Sequence, residues 1–136
     1  MQLDLFHAHL FVLGNQTELE QVFLNIVKNA VDAMPEGGKI RIHSLQTLSS
    51  GENEKVQLTM ADTGEGISPH HLSKIFTPFF TTKPIGKGTG LGLSISQRIM
   101  EDHGGSLSVE STLGEGTTVL IQLPAFSQTF EETVKQ

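Results

Sequence analysis

Gly86-Lys-Gly-Thr-Gly-Leu-Gly-Leu93 is the stretch around which this chain is organised. Four glycines alternate with other residues, and an apolar, helix-like run from Leu91 to Met100 begins at once. Alternating glycine strips side chains from a loop, so its backbone N–H groups can approach a ligand closely. A helix starting there points its free N–H groups and positive dipole end at the same place. Such a segment can hold a polyphosphate. On its own the pattern is weak, so the rest of the chain must supply the other parts of a site.

The chain has 136 residues, enough for one domain that buries roughly two-thirds of its unfolded surface. It has no cysteine, which excludes disulfides, thiolate metal sites and cysteine nucleophiles. A formal charge of -6 and no basic tract argue against a nucleic-acid surface. No apolar run is long enough to span a bilayer, and no signal pattern opens the chain. A cytoplasmic domain without direct membrane contact is expected. The chain opens in a strand-like pattern and reads as a fragment of a longer protein, membrane-anchored or soluble.

Leu3 to Leu13 reads as one or two short strands ending at Gly14-Asn15. Thr17 with Glu20 fits a capping box, and a helix is expected from there to about Met34, stopped by Pro35 and Gly37-Gly38. Leu19, Val22, Phe23, Ile26, Val27, Ala30 and Ala33 form its apolar stripe. Gln21, Asn25, Asn29 and Asp32 form a polar stripe beside it. Asn is a poor helix former, so this stripe is either incidental or functional. Lys39 to Leu45 and Val56 to Ala61 read as a hairpin whose second strand ends in Asp62-Thr-Gly-Glu-Gly-Ile67. An acid there makes either an ordinary Asx-turn or a carboxylate held in a pocket with backbone close by.

The segment from Ile67 to Thr89 has the length of a lid. One helical turn is expected around Pro69 to Lys74, and Phe76, Phe79 and Phe80 need apolar cover. Leu91 to His103 reads as a second long helix with Gly104-Gly105 as its C-cap. Ser106 to Ser111 and Thr117 to Leu123 read as a final hairpin closed by Pro124. The expected class is α+β: a two-layer α/β sandwich with a mixed, mostly antiparallel sheet of about five strands on about three helices. Residues 1–125 form the domain, with a flexible lid at about 67–89, and 126–136 form a polar tail. The glycine stretch matches neither the P-loop nor the dinucleotide fingerprint, and no kinase-type Val-Ala-Ile-Lys strand lies near it.

The order of elements is more specific than any one motif. An Asn-bearing helix, Asp-x-Gly-x-Gly, a Phe-rich lid, a Gly-x-Gly-x-Gly helix start and a Gly-x-Gly-Thr hairpin follow one another from about Gly14 to Pro124. This series resembles the ATP-binding catalytic domain of sensor histidine kinases, of the superfamily shared with gyrase, mismatch-repair and chaperone ATPases. Gln21-Val-Phe-Leu-Asn25, Lys28-Asn29-Ala30 and Phe79-Phe80-Thr81-Thr82-Lys83 give it a nitrogen-regulation flavour. The resemblance implies ATP and Mg²⁺ as cofactors, with Asp62 reading adenine, helped by Gly64, Gly66, Ile67 and a water held by Thr117. It implies Asn29 as the Mg²⁺ ligand, with Asn25, Lys28 and Asp32 beside it. Gly88, Gly90, Leu91 and Gly92 would give backbone N–H groups to the phosphates, with Gly86, Thr89 and Leu93 also in the ATP site. Lys28, Lys83 and Lys87 would supply charge to the phosphates, Asn29, Asn25 and Lys28 would be the catalytic group, and Phe76 and Phe79 would seat the lid.

In the ATPase branches a glutamate four residues before the metal-binding Asn activates water. Here that position is Asn25, which is no general base, so hydrolysis should be slow. The γ-phosphoryl group would go to a histidine on a separate dimerisation domain of the same protein, homodimeric at full length, and from there to a response regulator. None of His7, His9, His43, His70, His71 or His103 is followed by an acid as that histidine typically is, so all six read as surface or structural residues. A free-standing anti-sigma serine kinase and a nucleotide-dependent docking module are the alternatives.

Overall fold

The computed structural model describes residues 2–5, 14–48, 54–82, 90 and 92–125. The helix α1, Gln16–Asp32, starts from Asn15, whose side-chain oxygen accepts the Glu18 N–H at 3.0 Å. This corrects the capping-box expectation at Thr17. Thr17 lies inside the first turn, and Glu20 bonds Gln16 at 3.1 Å instead of reaching back to a cap. The Asn15 backbone N–H in turn donates to His103 Nε2 at 3.0 Å, while His103 Nδ1 lies 2.7 Å from the Ile99 carbonyl. A carbonyl can only accept, so Nδ1 carries the proton and Nε2 is the acceptor. His103 therefore pins the start of α1 to the end of α3.

Strands β1 (Gln2–Leu5), β2 (Ile40–Leu48), β3 (Glu54–Asp62), β4 (Ser106–Thr112) and β5 (Gly116–Pro124) form one sheet in the order β1-β2-β3-β5-β4. β1 runs parallel to β2, and the other pairings are antiparallel. The remaining helices are the short α2, Pro69–Leu72, capped by Ser68, and α3, Gly92–Asp102. α3 ends in paired bonds from Gly104 N to Glu101 O and from Gly105 N to Met100 O, a Schellman closure. The mixed sheet and three helices agree with the expected α+β class. Leu3 to Leu13 is described only over its first strand.

Val22, Ile26 and Ala30 of α1 and Ile99 and Met100 of α3 are buried against Ile40, Ile42, Met60, Leu107, Val119 and Ile121 of the sheet. These strand residues alternate along their strands, which puts them all on the helix-covered face. Phe23, though in the apolar stripe of α1, sits at its edge and is 36% exposed. One polar group sits badly on this face. Ser44 of β2 is 5% exposed, and its hydroxyl has no hydrogen-bond partner among the described residues.

Two outcomes are expected from chemical denaturation. Asn15→Ala lowers the unfolding free energy by about 1 kcal/mol, while Thr17→Ala changes it by less than about 0.5 kcal/mol. Ser44→Ala raises it by about 1 kcal/mol, because a buried hydroxyl that is already unpaired is removed.

Candidate nucleotide site

A cavity of about 980 Å³ opens between the helices and one end of the sheet. Small-molecule sites are typically of this order. Its interior is apolar, lined by Ile26, Ala30, Ile40, Met60, Val109 and Val119. Polar groups converge from three directions. Asn25, Lys28, Asn29 and Asp32 come from α1, Asp62 and Thr117 from the sheet, and Thr81, Thr82, Gly90 and Gly92 from the two flanks of the segment before α3.

Asp62 ends β3 and is half-buried. Its Oδ1 accepts from Gly64 N at 2.8 Å and from Thr117 N at 3.3 Å. The first bond is an Asx-turn, so both sequence readings of this residue describe the same carboxylate. Oδ1 is committed to backbone, and Oδ2 has no bonding partner among the described residues. Behind it Ser111 forms a node that the sequence reading missed. Its hydroxyl accepts from Ile67 N at 2.8 Å, donates to Gly116 O at 2.9 Å and lies 2.8 Å from the Thr117 hydroxyl. A hydroxyl has one proton, so Thr117 is the donor in that last pair. No local pattern marks Ser111, because its partners come from two other segments, the loop after β3 and the start of β5.

Gly66 lines the cavity with φ +74°, and a Cβ there would stand 2.2 Å from the Thr112 carbonyl oxygen. The close approach that demands glycine is thus to the end of β4. Gly64 is buried, and a Cβ on it would meet the Ala33 carbonyl at 2.7 Å.

On α1 the Asn25 amide nitrogen donates to Gly92 O at 3.4 Å and to Ser96 Oγ at 3.2 Å. The carbonyl partner fixes which end of the amide is nitrogen, and the oxygen is left without a partner among the described residues. Asn25 therefore ties α1 to the first turn of α3, through a serine that is fully buried. Lys28 Nζ lies 3.4 Å from Asp32 Oδ2, with the two side chains 63% and 37% exposed. An exposed pair of this kind contributes little to stability and is easily exchanged for another anion. Gln21, the remaining member of the polar stripe, is exposed and does not line the cavity.

The phenylalanines divide differently from expectation. Phe76 packs against the core, but Phe79 is 73% exposed, and neither lines the cavity. The ring that does line it is Phe80. The reason is a left-handed backbone at Phe79, φ +70°, which turns the chain between the two rings. Phe79 N donates to Gly90 O at 2.8 Å, and Gly90, φ +75°, is pressed so close that a Cβ would meet the Phe79 carbonyl carbon at 2.3 Å. Ile67 and Leu93 line the cavity as well. Lys83, Gly86, Lys87, Gly88, Thr89 and Leu91 lie outside the described residues.

No group of three His, Cys, Asp or Glu side chains among the described residues could hold a metal ion by itself. Besides the Asp32 carboxylate, which faces Lys28, what α1 offers at the cavity is neutral amide oxygen. Amides are suitable oxygen donors for Mg²⁺, but a hard dication needs further oxygens. The donor set fits Mg²⁺ only when phosphate oxygens complete the shell.

Residues 14–127 match the family model described as histidine kinase-, DNA gyrase B- and HSP90-like ATPase. Sporulation kinase E of Bacillus subtilis is 40% identical over 124 residues, 91% of this chain and 16% of that protein. The chain thus spans about a sixth of that relative. The nucleotide-free catalytic domain of histidine kinase ThkA superposes with a TM-score of 0.75 at 37% identity, covering 90% of this chain and 77% of that one. ThkA in complex with the response regulator protein TrrA gives 0.72 at 34%, covering 91% and 33%. Full-length ShkA in complex with AMPPNP gives 0.76 at 28%, covering 94% and 26%. This chain belongs to the histidine kinase-, gyrase B- and HSP90-like ATPase family.

Proposed function

We propose that this domain binds Mg²⁺-ATP in the cavity and donates its γ-phosphoryl group to a histidine on a separate dimerisation domain of the same protein. The observation that carries this reading is the divided carboxylate of Asp62. One oxygen is held by two backbone N–H groups, and the other is left for a ligand at the end of an apolar cavity. A fixed carboxylate oxygen accepts from an exocyclic amine, which adenine has at its 6-position. Guanine presents a carbonyl there, and two acceptors face to face leave both unpaired.

With the base at Asp62, the triphosphate extends toward Asn29, Lys28 and the start of α3. Lys28 exchanges Asp32 for phosphate, and the α3 N-terminus adds its dipole. Asn29, through its amide oxygen, would hold Mg²⁺ together with phosphate oxygens, and the ion would supply charge neutralisation of the phosphates. Catalysis by this chain is positioning and electrostatic stabilisation. The acceptor imidazole nitrogen forms a bond to Pγ while the bond from Pγ to the ADP oxygen breaks. ADP leaves with the bonding electrons, and the imidazole proton passes to a base on the acceptor side. Asn25 supports transfer over hydrolysis, since an amide tied to Gly92 and Ser96 cannot take a proton from water.

Histidine kinases predominate among the relatives, which weighs against the serine-kinase and docking alternatives. The ThkA–TrrA complex supports a response regulator as the next phosphoryl acceptor. The reading places the domain in the cytoplasm, where ATP is available, and no helix among the described residues is long and apolar enough to cross a membrane.

Calorimetric titration with Mg²⁺-ATP and Mg²⁺-GTP tests the site, with binding expected for the first alone. Adding the dimerisation domain with γ-labelled ATP then gives acid-labile, base-stable phosphohistidine. Asp62→Asn keeps an acceptor for Gly64 and Thr117 but turns an amide N–H₂ toward the base. ATP affinity falls by about 10- to 100-fold with the thermal midpoint little changed, and an unaltered affinity sinks the base-reading role. Asn29→Ala abolishes the dependence of ATP binding on Mg²⁺; a variant that still binds more tightly with the ion than with EDTA refutes the metal role.

A further inference from the structure

Among the residues that line the cavity, His71 has no role in the reading above. It sits on α2, the one short helix between the Asp62 loop and the segment that carries Phe80, Thr81 and Thr82. Its backbone N–H donates to Ser68 Oγ at 3.3 Å, which fixes where the residue stands. Its ring is half-buried and faces Phe80, with centroids 5.6 Å apart and planes tilted by 51°. That is the tilted geometry in which aromatic rings attract beyond their buried area. Both residues line the cavity. The neighbouring His70 ring also lies 5.6 Å from that of His71, tilted by 50°, but outside the cavity-lining residues. It is exposed, its Nε2 lies 3.3 Å from Lys74 Nζ, and it does not reach the cavity.

We propose that His71 is a positioning residue of the nucleotide site: its ring clasps Phe80 and thereby holds Thr81 and Thr82 at the cavity rim. Phe80 needs such a partner for a local reason. It follows Phe79, whose left-handed backbone, held by the bond to Gly90, sets the side to which the chain carries Phe80, and the ring then needs a surface to rest on. Among the described residues, the Phe80 backbone N–H donates to Thr77 O, at 3.1 Å. The ring of His71 is the aromatic surface against which Phe80 rests, and the two Thr residues follow directly. Occupancy of the cavity and the placement of Thr81 and Thr82 are thus linked through one ring pair. This role rests on the cavity being the nucleotide site.

The test measures Mg²⁺-ATP affinity of the chain by calorimetry, with the thermal midpoint as a check on folding. His71→Ala is expected to weaken binding by about three- to ten-fold. His71→Phe, which keeps the ring, restores it to within about two-fold, and His71→Asn, which keeps a polar N–H at similar size, does not. Phe80→Ala on top of His71→Ala costs less than about two-fold more, because the pair acts as a unit. His71→Asn also replaces the alanine variant should that one fail to fold. Restoration by Asn and not by Phe overturns the proposal, since the imidazole would then act as a hydrogen-bonding group. Independent, multiplying losses at His71 and Phe80 overturn it as well. An unchanged affinity in His71→Ala, with normal binding by the unaltered chain, removes the role of His71 alone. Failure of the unaltered chain to bind ATP overturns both the nucleotide reading and this role.

Discussion

One helix has to satisfy two surfaces at once, and the rest of the molecule follows from that. Val22, Ile26 and Ala30 recur every four residues along α1 and must leave water, so they seal against the sheet. Asn25 and Asn29 recur at the same interval one position earlier, so sealing the apolar face fixes where their amides lie. The core and the polar wall of the cavity are neighbouring stripes of a single rigid rod. Residues poor in helix propensity are tolerated there because packing, not propensity, holds the helix.

The ends of that rod are held by contacts from far along the chain. At its start, His103 accepts the Asn15 N–H, and at its middle, Asn25 reaches Gly92 and Ser96. Both partners belong to α3 or its cap, so the two helices are tied to each other over the sheet. At its end, the Ala33 carbonyl accepts the Glu65 N–H at 3.1 Å, which brings the Asp62 loop beneath the helix terminus. The carboxylate and the amides of the proposed site are therefore registered to each other through backbone, which suits a site whose chemistry is positioning.

Strain is concentrated beside the cavity. Phe79 is the only non-glycine among the described residues with a positive φ, and conformations of this kind cost about 1–3 kcal/mol. The bond to Gly90 holds it there, and the result is that Phe79 and Phe80 face different surroundings. An exposed aromatic next to an inward one is the product of that single backbone reversal.

The sequence by itself determined the class of fold, the extents of α1 and α3 to within a few residues, both hairpins and the family. These rest on local periodicity, turn chemistry and motif order, which act over a few residues and so can be read along a line. It also placed Asp62, Asn25, Asn29 and Thr117 among the candidates. What only the tertiary structure decided was how those groups divide their bonds. The α1 cap belongs to Asn15 because His103 holds the chain before it. Oδ1 of Asp62 is taken by backbone, so only Oδ2 remains for a ligand. Ser111, His71 and Phe80 join the site because three separate segments meet there, and Phe79 leaves it because its backbone turns the other way. Periodicity says which face of an element is apolar. Which atom of a polar side chain is still unpaired depends on residues distant in sequence, and only the assembled fold brings them within bonding range.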